Sequence, residues 1–254
     1  MNAMKNRIIA FAVASAMAAL CIPAAAAQAA PKIITGAGSV PGCTYGSSPV
    51  PYLKSFHGAT VLRIIVNHFP PQWGRNPLPC AQAAHRAGYK LFIAVQYQNS
   101  WSLAKDTAWF TTALRQYGSM ASWIAVGNEQ ELMQGGKISS PGQYSNVWKA
   151  VLPIIKRYAP HAIRVTGEIS PWGIPFLQSA FRHGLPGAQA VSGHPYPMFH
   201  TKEPYYANNL RQFGLPVLFT EGSCGPLALG APHGCLSVAT AAQLGSRMAL
   251  DWMK

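Results

Sequence analysis

Two glutamates each follow a short apolar stretch of the chain. Glu129 comes after Trp123–Asn128 (WIAVGN), and Glu221 comes after Pro216–Thr220 (PVLFT). The length and the apolar, partly β-branched composition of both stretches predict buried parallel strands. The carboxyl ends of such strands meet at one edge of an α/β fold, where catalytic groups are placed. Two carboxyl groups brought together there can supply a general acid/base and a nucleophile. Because the chain has only seven Asp and Glu residues, finding two of them at strand ends is informative.

Strand and helix patterns alternate along the rest of the chain, which is typical of parallel βα units. We therefore expect an α/β fold: one TIM-barrel-like (β/α)8 domain over residues 30–254, with seven readable βα units and no eighth strand readable at the C-terminus. A doubly wound open sheet is the alternative, although no glycine-rich phosphate fingerprint follows the first strand. The predicted strands are Lys32–Gly36, Thr60–Asn67, Lys90–Gln96, Trp123–Gly127, Ala162–Thr166, Ala188–Gly193 and Pro216–Thr220.

Helix start and stop signals lie between these strands. Ser140–Gln143 is a capping box with proline at the first helical position, and the helix after it is predicted to reach Tyr158. Asn76-Pro77 predicts the start of an earlier helix that Gly88 closes. Further helices are predicted over Pro49–Phe56, before Gly118, and over Phe176–His183, Pro204–Phe213 and Ser237–Met253.

The first 29 residues have the composition of an export signal. Lys5 and Arg7 precede the apolar run Ile8–Leu20, and Ala27–Ala29 fits an A-x-A cleavage site. We expect residues 1–29 to be a signal peptide and the mature protein to be secreted or periplasmic. An uncleaved N-terminal anchor is the alternative; after signal removal we expect no membrane insertion.

Four cysteines remain after that segment. In an exported chain an even number of cysteines suggests disulfide bonds. Cys224 and Cys235 lie in one Gly- and Pro-rich stretch, so we expect them to pair locally, with Cys43 paired to Cys80. The alternative is that the cysteines remain buried thiols. A zinc site is less favoured, because no Cys-x-x-Cys spacing occurs.

The chain is strongly basic, with a formal net charge of +13. The charges are scattered, and no basic run or helix-turn-helix pattern predicts a nucleic-acid partner. The eight histidines show no His-x-x-x-His spacing. We therefore expect no metal and no cofactor, and we expect a monomer.

The two strand ends carry a family resemblance. Gly127-Asn128-Glu129 and Thr220-Glu221-Gly222, 92 residues apart from glutamate to glutamate, resemble the clan A glycoside hydrolases. That clan holds retaining enzymes on (β/α)8 barrels, among them cellulase, mannanase, β-1,3-glucanase and β-xylosidase families. The resemblance implies that Glu129 is the acid/base and Glu221 the nucleophile of a double displacement. It also implies that Asn128 donates to the sugar 2-hydroxyl.

The same resemblance implies supporting roles for other side chains. Gly193–Pro197 (GHPYP) is similar to the clan's His/Tyr position, where Tyr196 would hold the nucleophile and His194 would line the sugar site. Arg63 resembles the arginine that keeps the nucleophile ionised; a salt bridge at the barrel rim is the alternative. Glu131 is interpreted as a supporting or surface residue. Aromatic side chains that follow strand ends are candidate sugar platforms: Phe69, Trp73, Tyr97, Trp101, Trp172 and Phe199.

These observations lead to an expected function with two alternatives. We expect a retaining, endo-acting glycosidase whose partner is a β-linked polysaccharide or oligosaccharide. A carbohydrate-binding barrel of the cell envelope that has lost turnover is the first alternative, because the eighth strand is not readable and the last motif reads Glu221-Gly222-Ser223. A basic envelope protein that binds an anionic polymer is the second, and it rests on charge alone.

Overall fold

The computed structural model describes residues 35–37, 48–55, 59–68, 77–194 and 209–220. Strands and helices alternate along the chain. The strands are β1 (Thr35–Ala37), β2 (Ala59–Val66), β3 (Lys90–Val95), β4 (Ala121–Val126), β5 (Met133–Gln134), β6 (Lys137–Ile138), β7 (Ile163–Val165), β8 (Val191–Gly193) and β9 (Val217–Phe219). The helices are α1 (Val50–Ser55), α2 (Leu78–Arg86), α3 (Leu103–Tyr117), α4 (Pro141–Tyr158) and α5 (Ile174–His183), with a 3₁₀ turn at Gly118–Met120.

The main sheet is parallel and its strand order is β1-β2-β3-β4-β7. The parallel pair β8-β9 continues it, because Val165 and Ile169 form parallel bridges to Ala190 and Gly193. The order of these strands follows the chain without reversal, as in a barrel. A doubly wound sheet reverses its order at a switch point, so the alternative of an open doubly wound sheet is wrong for the described strands. Residues 221–254, where an eighth strand would be sought, lie outside the described residues.

Alternate strand residues point to opposite faces of the sheet. Buried apolar clusters lie on both of these faces. Ile93 and Ile124 face the helices and pack in the large core with Phe110 of α3 and Trp148 of α4. The intervening residues form a second, inner cluster: Val61, Phe92, Ala94, Trp123, Ala125, Val165 and Ala190. This register places Arg63, two residues after Val61, on the inner side of β2.

The helix signals of the sequence act largely as predicted. The Ser140 hydroxyl accepts a hydrogen bond from the Gln143 N–H at 3.1 Å, and the helix that it caps, α4, ends at Tyr158 as expected. The helix predicted from Asn76-Pro77 begins at Leu78, with Pro77 as its cap residue. Gly88 follows the end of that helix at φ +86°, a conformation that glycine adopts without a steric cost.

A small hairpin after β4 was not among the predicted elements. Met133–Gln134 pairs antiparallel with Lys137–Ile138, and the turn residues Gly135 and Gly136 have φ values of +63° and +77°. Two consecutive positive φ angles are what a tight two-residue hairpin turn requires. Strands of two residues are too short to show an alternating pattern. The Gly-Gly pair was therefore the available signal.

The cysteine and membrane predictions are tested only in part. Cys80 is buried on α2 and is disulfide-bonded. Cys43, Cys224 and Cys235 lie outside the described residues, so the pairings Cys43–Cys80 and Cys224–Cys235 stay predictions, as does the signal peptide over residues 1–29. Within the described ranges, no helix has the length and hydropathy needed to cross a bilayer.

Candidate active site

Four side chains that the sequence singled out lie together at the carboxyl edge of the sheet. Asn128 and Glu129 follow β4, His194 follows β8, and Arg63 reaches them from β2. A fifth residue, Glu168 after β7, lies among them, and its backbone pairs with Asn128 in parallel register. The site is therefore built from the ends of neighbouring strands, which rigid backbone hydrogen bonds hold in place.

Arg63 and Glu168 form a buried ion pair at the base of the site. Arg63 Nε donates to Glu168 Oε1 at 2.7 Å and Nη2 donates to Oε2 at 2.5 Å. The exposed fraction is 5% for Arg63 and 0% for Glu168. Burial by itself would raise the pKa of Glu168. The Arg63 guanidinium and the His194 ring outweigh burial and lower this pKa from its ordinary value of 4.5 to about 2. Glu168 is therefore an anion at neutral pH.

Arg63 also orients the amide of Asn128. Nη2 of Arg63 donates to Asn128 Oδ1 at 2.7 Å. Because the amide oxygen is taken up by the guanidinium, the donor nitrogen Nδ2 of Asn128 is directed away from Arg63. This is the orientation that an amide needs if it is to donate to a substrate hydroxyl.

Glu129 is held in a strained backbone conformation. Its φ is +50°, and among the described residues it is the one non-glycine with a positive φ. Such conformations persist where the surrounding structure enforces them, and they cluster at functional sites. The Glu129 N–H donates to the Glu168 carbonyl oxygen at 2.6 Å. The side chain is 18% exposed, and its Oε1 lies 2.9 Å from Nδ1 of the fully buried His194.

Amide side chains, two of them buried, fix the loop that carries Glu129. Gln130 Nε2 donates to Asn99 Oδ1 at 2.7 Å, and Asn99 Nδ2 donates to the Gln130 carbonyl at 2.9 Å. Gln134 Nε2 donates to the Glu129 carbonyl at 3.3 Å. Gly127 adopts φ +88°, and a Cβ there would lie 2.4 Å from Gln130 Cγ, so only glycine fits. These residues were missed because polar side chains in loops carry no periodic signal.

Glu131 ties two loops of the site together. Its Oε1 accepts the Ser170 N–H at 2.5 Å, which joins the loop after β4 to the loop after β7. Burial raises the pKa of Glu131 to about 7, with Glu129 acting in the same direction and the hydrogen bonds from Ser170 opposing it. The sequence left a supporting or a surface role open for this residue, and the contact with Ser170 favours the supporting one.

Tyr144 of α4 connects β4 to the loop that carries Glu168. Its hydroxyl donates to the Val126 carbonyl at 3.0 Å and accepts the Gly167 N–H. We expect Tyr144→Phe to lower the free energy of unfolding by about 1–3 kcal/mol, because a buried N–H and a buried carbonyl lose their partner. Urea unfolding followed by circular dichroism measures this.

The matched control for Tyr144→Phe is Tyr158→Phe on the same helix. The Tyr158 hydroxyl meets Arg115 at an exposed site, at 3.2 Å. We expect this second change to cost less than about 0.5 kcal/mol. Equal costs for the two variants would contradict the structural role given to Tyr144.

The remaining predicted site residues are placed only in part. Trp172 lies in the loop after β7 and is 60% exposed. Trp101, after β3, packs edge-on against the ring of His68. Lys105 Nζ lies 4.3 Å from the centroid of the Trp101 ring. Glu221 and Tyr196 lie outside the described residues.

Glu168 is the central residue that sequence reasoning missed. A signal for it was present, because Val165-Thr166-Gly167-Glu168 repeats the order of apolar strand, glycine and acid that ends at Glu129.

No group of three or more His, Cys, Asp or Glu side chains able to hold a metal ion occurs in the part of the chain that the structure describes.

Comparison with known proteins gives matches at the level of structure. No protein-family model matches the sequence, and no curated protein matches it either. Among solved structures, an exo-β-1,4-mannosidase from Opitutaceae bacterium strain TAV5 superposes with a TM-score of 0.60 at 16% identity, over 89% of this chain and 51% of the mannosidase. The chain thus spans about half the length of that enzyme.

Two further solved structures cover their own chains more fully. The Ignisphaera aggregans GH53 catalytic domain matches with a TM-score of 0.55 at 16% identity, over 86% of this chain and 77% of that domain. Endoglucanase Cel5A from Thermotoga maritima matches with a TM-score of 0.55 at 11% identity, over 80% and 78%. The protein therefore shares the α/β fold of these glycosidases.

Proposed function

We propose that the protein is a retaining glycoside hydrolase that cleaves O-glycosidic bonds of a β-linked polysaccharide. The observation that carries this proposal is the setting of Glu129. Its partly exposed carboxyl group lies in the loop after β4, on a residue with a strained backbone conformation, against a buried histidine and a buried ion pair. Such a side chain is fixed in direction and still open to a ligand, as a proton donor to a glycosidic oxygen must be.

In the proposed reaction Glu129 and Glu221 act in two steps. Glu129 first protonates the leaving oxygen while the Glu221 carboxylate attacks the anomeric carbon and forms a covalent glycosyl–enzyme. Glu129, now an anion, then removes a proton from water, which attacks the same carbon and releases Glu221. This double displacement needs the two carboxyl groups about 5–5.5 Å apart.

The described neighbours of Glu221 support its part in this reaction. Thr220 directly precedes it, and the Thr220 N–H donates to the Gly193 carbonyl at 3.4 Å. His194 follows Gly193 and contacts Glu129. Thr220, the residue before Glu221, is thus hydrogen-bonded to the last residue of β8, which directly precedes His194.

The surrounding side chains suit a sugar substrate. Asn128 presents its amide nitrogen away from Arg63 and would donate to the 2-hydroxyl of the reacting sugar. The exposed indole of Trp172 offers a flat apolar surface for the C–H face of a pyranose ring. We also propose that the protein acts as a monomer outside the cytoplasm. There it would cleave bonds within the chain of an extracellular or envelope glycan.

A substrate panel tests the proposed activity. Purified protein is incubated with β-1,4-glucan, β-1,3-glucan, mannan and xylan, and new reducing ends are counted beside a Glu129→Gln/Glu221→Gln double variant. Reducing ends from wild type alone support a glycosidase. Proton NMR of the first product then gives its anomeric configuration, and an inverted product would contradict the retaining mechanism. Binding without cleavage would favour the alternative of a barrel that holds carbohydrate without turnover.

A further inference from the structure

Glu168 lies at the centre of the buried network, and the reaction described above gives it no part. Arg63 donates to both oxygens of its carboxylate. The Oε1 atom that accepts from Arg63 Nε also lies 3.8 Å from Nε2 of His194, and the Glu168 and His194 side chains are both fully buried. The ion pair with Arg63 would be complete without the histidine. The second contact leads from Glu168 towards Glu129.

His194 bridges the two glutamates with its two ring nitrogens. Nδ1 lies 2.9 Å from Glu129 Oε1, and Nε2 faces Glu168. The partner of one imidazole nitrogen decides which nitrogen carries the proton. An anion beside Nε2 favours a proton there. Nδ1 and Glu129 then share one further proton, carried either by the carboxyl group or by the ring.

We propose that Glu168 is a positioning residue that acts through His194 on the candidate acid/base Glu129. Its carboxylate keeps a proton on Nε2 of His194 and turns Nδ1 towards Glu129. The Glu129–His194 pair thereby retains the proton that Glu129 delivers to the leaving oxygen. The catalytic consequence rests on the proposed function, whereas the effect on His194 does not.

The charges around this chain of contacts fix the direction of the effect. They come from Arg63 on β2, Glu129 and Glu131 after β4, and Glu168 after β7, with the Tyr144 hydroxyl of α4 close to Glu168. If Glu168 becomes neutral while Arg63 stays, the surroundings of the Glu129–His194 pair become more positive. The pair must then release its shared proton at a lower pH.

The first test follows the His194 ring by ¹⁵N NMR and needs no enzymatic activity. In the full-length protein, the His194 signals are identified by their loss in His194→Asn. We expect the wild-type ring to carry a proton on Nε2. In Glu168→Gln we expect its titration midpoint to fall by about one pH unit. A wild-type ring protonated only on Nδ1, or an unchanged midpoint in Glu168→Gln, would overturn the proposal.

Asp106→Asn is the matched control for Glu168→Gln. Asp106 is a second buried carboxyl group, on α3, and burial raises its pKa to about 6, with Lys105 opposing. No hydrogen bond within the described ranges links it to the network of Glu168. We expect the His194 midpoint to be the same in Asp106→Asn as in wild type. An equal shift in both variants would mean a general effect of lost negative charge and would count against the proposal.

The second test measures how kcat/KM depends on pH for a substrate identified by the panel. The basic limb, which reports loss of the acid proton, should move down by about one pH unit in Glu168→Gln. Glu168→Asp keeps the charge, so its limb should stay near wild type while kcat falls through poorer geometry. Because glutamine and aspartate keep an acceptor for Arg63, at least one variant is expected to fold. If no substrate is cleaved, the NMR result alone decides the role of Glu168, and the failure belongs to the proposed function.

Discussion

Glu129→Gln is expected to lower kcat/KM for natural β-linked oligosaccharides by about 10²–10⁴-fold, the usual contribution of a general acid/base. An alkoxide leaving group is too basic to depart without a proton, and glutamine has none to give. The amide still fits beside His194 Nδ1, where the carboxyl oxygen lies at 2.9 Å in the wild type. The loss should therefore appear in the chemical step, with the fold unchanged by circular dichroism.

The choice of leaving group makes this result specific to an acid/base. A dinitrophenyl glycoside departs without protonation, so Glu129→Gln should form the glycosyl–enzyme from it at nearly the wild-type rate. Breakdown of that intermediate should be slow, because the base that activates water is absent. We expect a burst of dinitrophenol followed by a slow steady state. Azide, an anion that needs no base, should accelerate the steady state.

Glu131→Gln is the matched control, since it removes a carboxyl group two residues along the same loop. Glutamine can still accept the Ser170 N–H that Glu131 holds at 2.5 Å. We expect less than about a tenfold change in kcat/KM, because no proton transfer is assigned to this residue. Equal losses on both substrates in Glu129→Gln, or a comparable loss in Glu131→Gln, would contradict the role given to Glu129.

The strands and caps that position Glu129 are predictable from sequence because their signals are local. An apolar run ended by Gly127 gives β4, and the Ser140 hydroxyl caps α4 through a residue three positions away. Such interactions involve neighbours in the chain, so composition and spacing are sufficient. The alternation of these elements then gives a parallel α/β fold with functional residues at one edge.

The contacts inside the site are not local, and this is why they escape the sequence. Arg63 and Glu168 are separated by 105 residues. Their pairing depends on the register of β2, β3, β4 and β7, in which Ile64 lies opposite Ile93 and Ile93 opposite Ile124. A slip of one residue would turn Arg63 to the other face of the sheet. Sequence patterns identify the strands but do not fix this register, so the pairing of Arg63 with Glu168 was not predicted.

The second large effect is expected on stability, from removal of the Arg63 charge. Arg63→Met leaves the carboxylate of Glu168, which is 0% exposed, without its cationic partner. Breaking a buried ion pair from one side costs about 3–5 kcal/mol, because the remaining charge stays desolvated. We expect a loss of that size in the free energy of unfolding at pH 7, measured by urea denaturation.

The control for Arg63→Met is Arg115→Met, the same substitution at an exposed site. Arg115 lies on α3 and donates to the Tyr158 hydroxyl at 3.2 Å. Exposed contacts of this kind contribute little, so we expect a change below about 0.5 kcal/mol. A similar cost at both positions would show that burial of the pair does not decide the effect.

The Arg63→Met/Glu168→Gln double variant separates the lost pair from the stranded charge. Once Glu168 is also neutral, neither member of this pair leaves an uncompensated charge behind. The double variant should therefore be more stable than the sum of the two single changes predicts, and no less stable than Arg63→Met alone. Strict additivity would mean that the two side chains contribute independently, against the bidentate contact seen between them.

The cost of Arg63→Met should also depend on pH. Glu168 has a folded-state pKa of about 2, below its ordinary value of 4.5. A depressed carboxyl pKa contributes stability above pH 4.5 and loses it as the pH falls towards the folded-state value. The difference between wild type and Arg63→Met should thus be largest near pH 7 and shrink as the pH falls towards 4, because burial raises the pKa of the stranded carboxylate in the variant and it takes up a proton. A difference that stays constant from pH 7 to pH 4 would assign the loss to packing of the long arginine side chain, because a cost caused by the stranded charge must fall once that charge is neutralised.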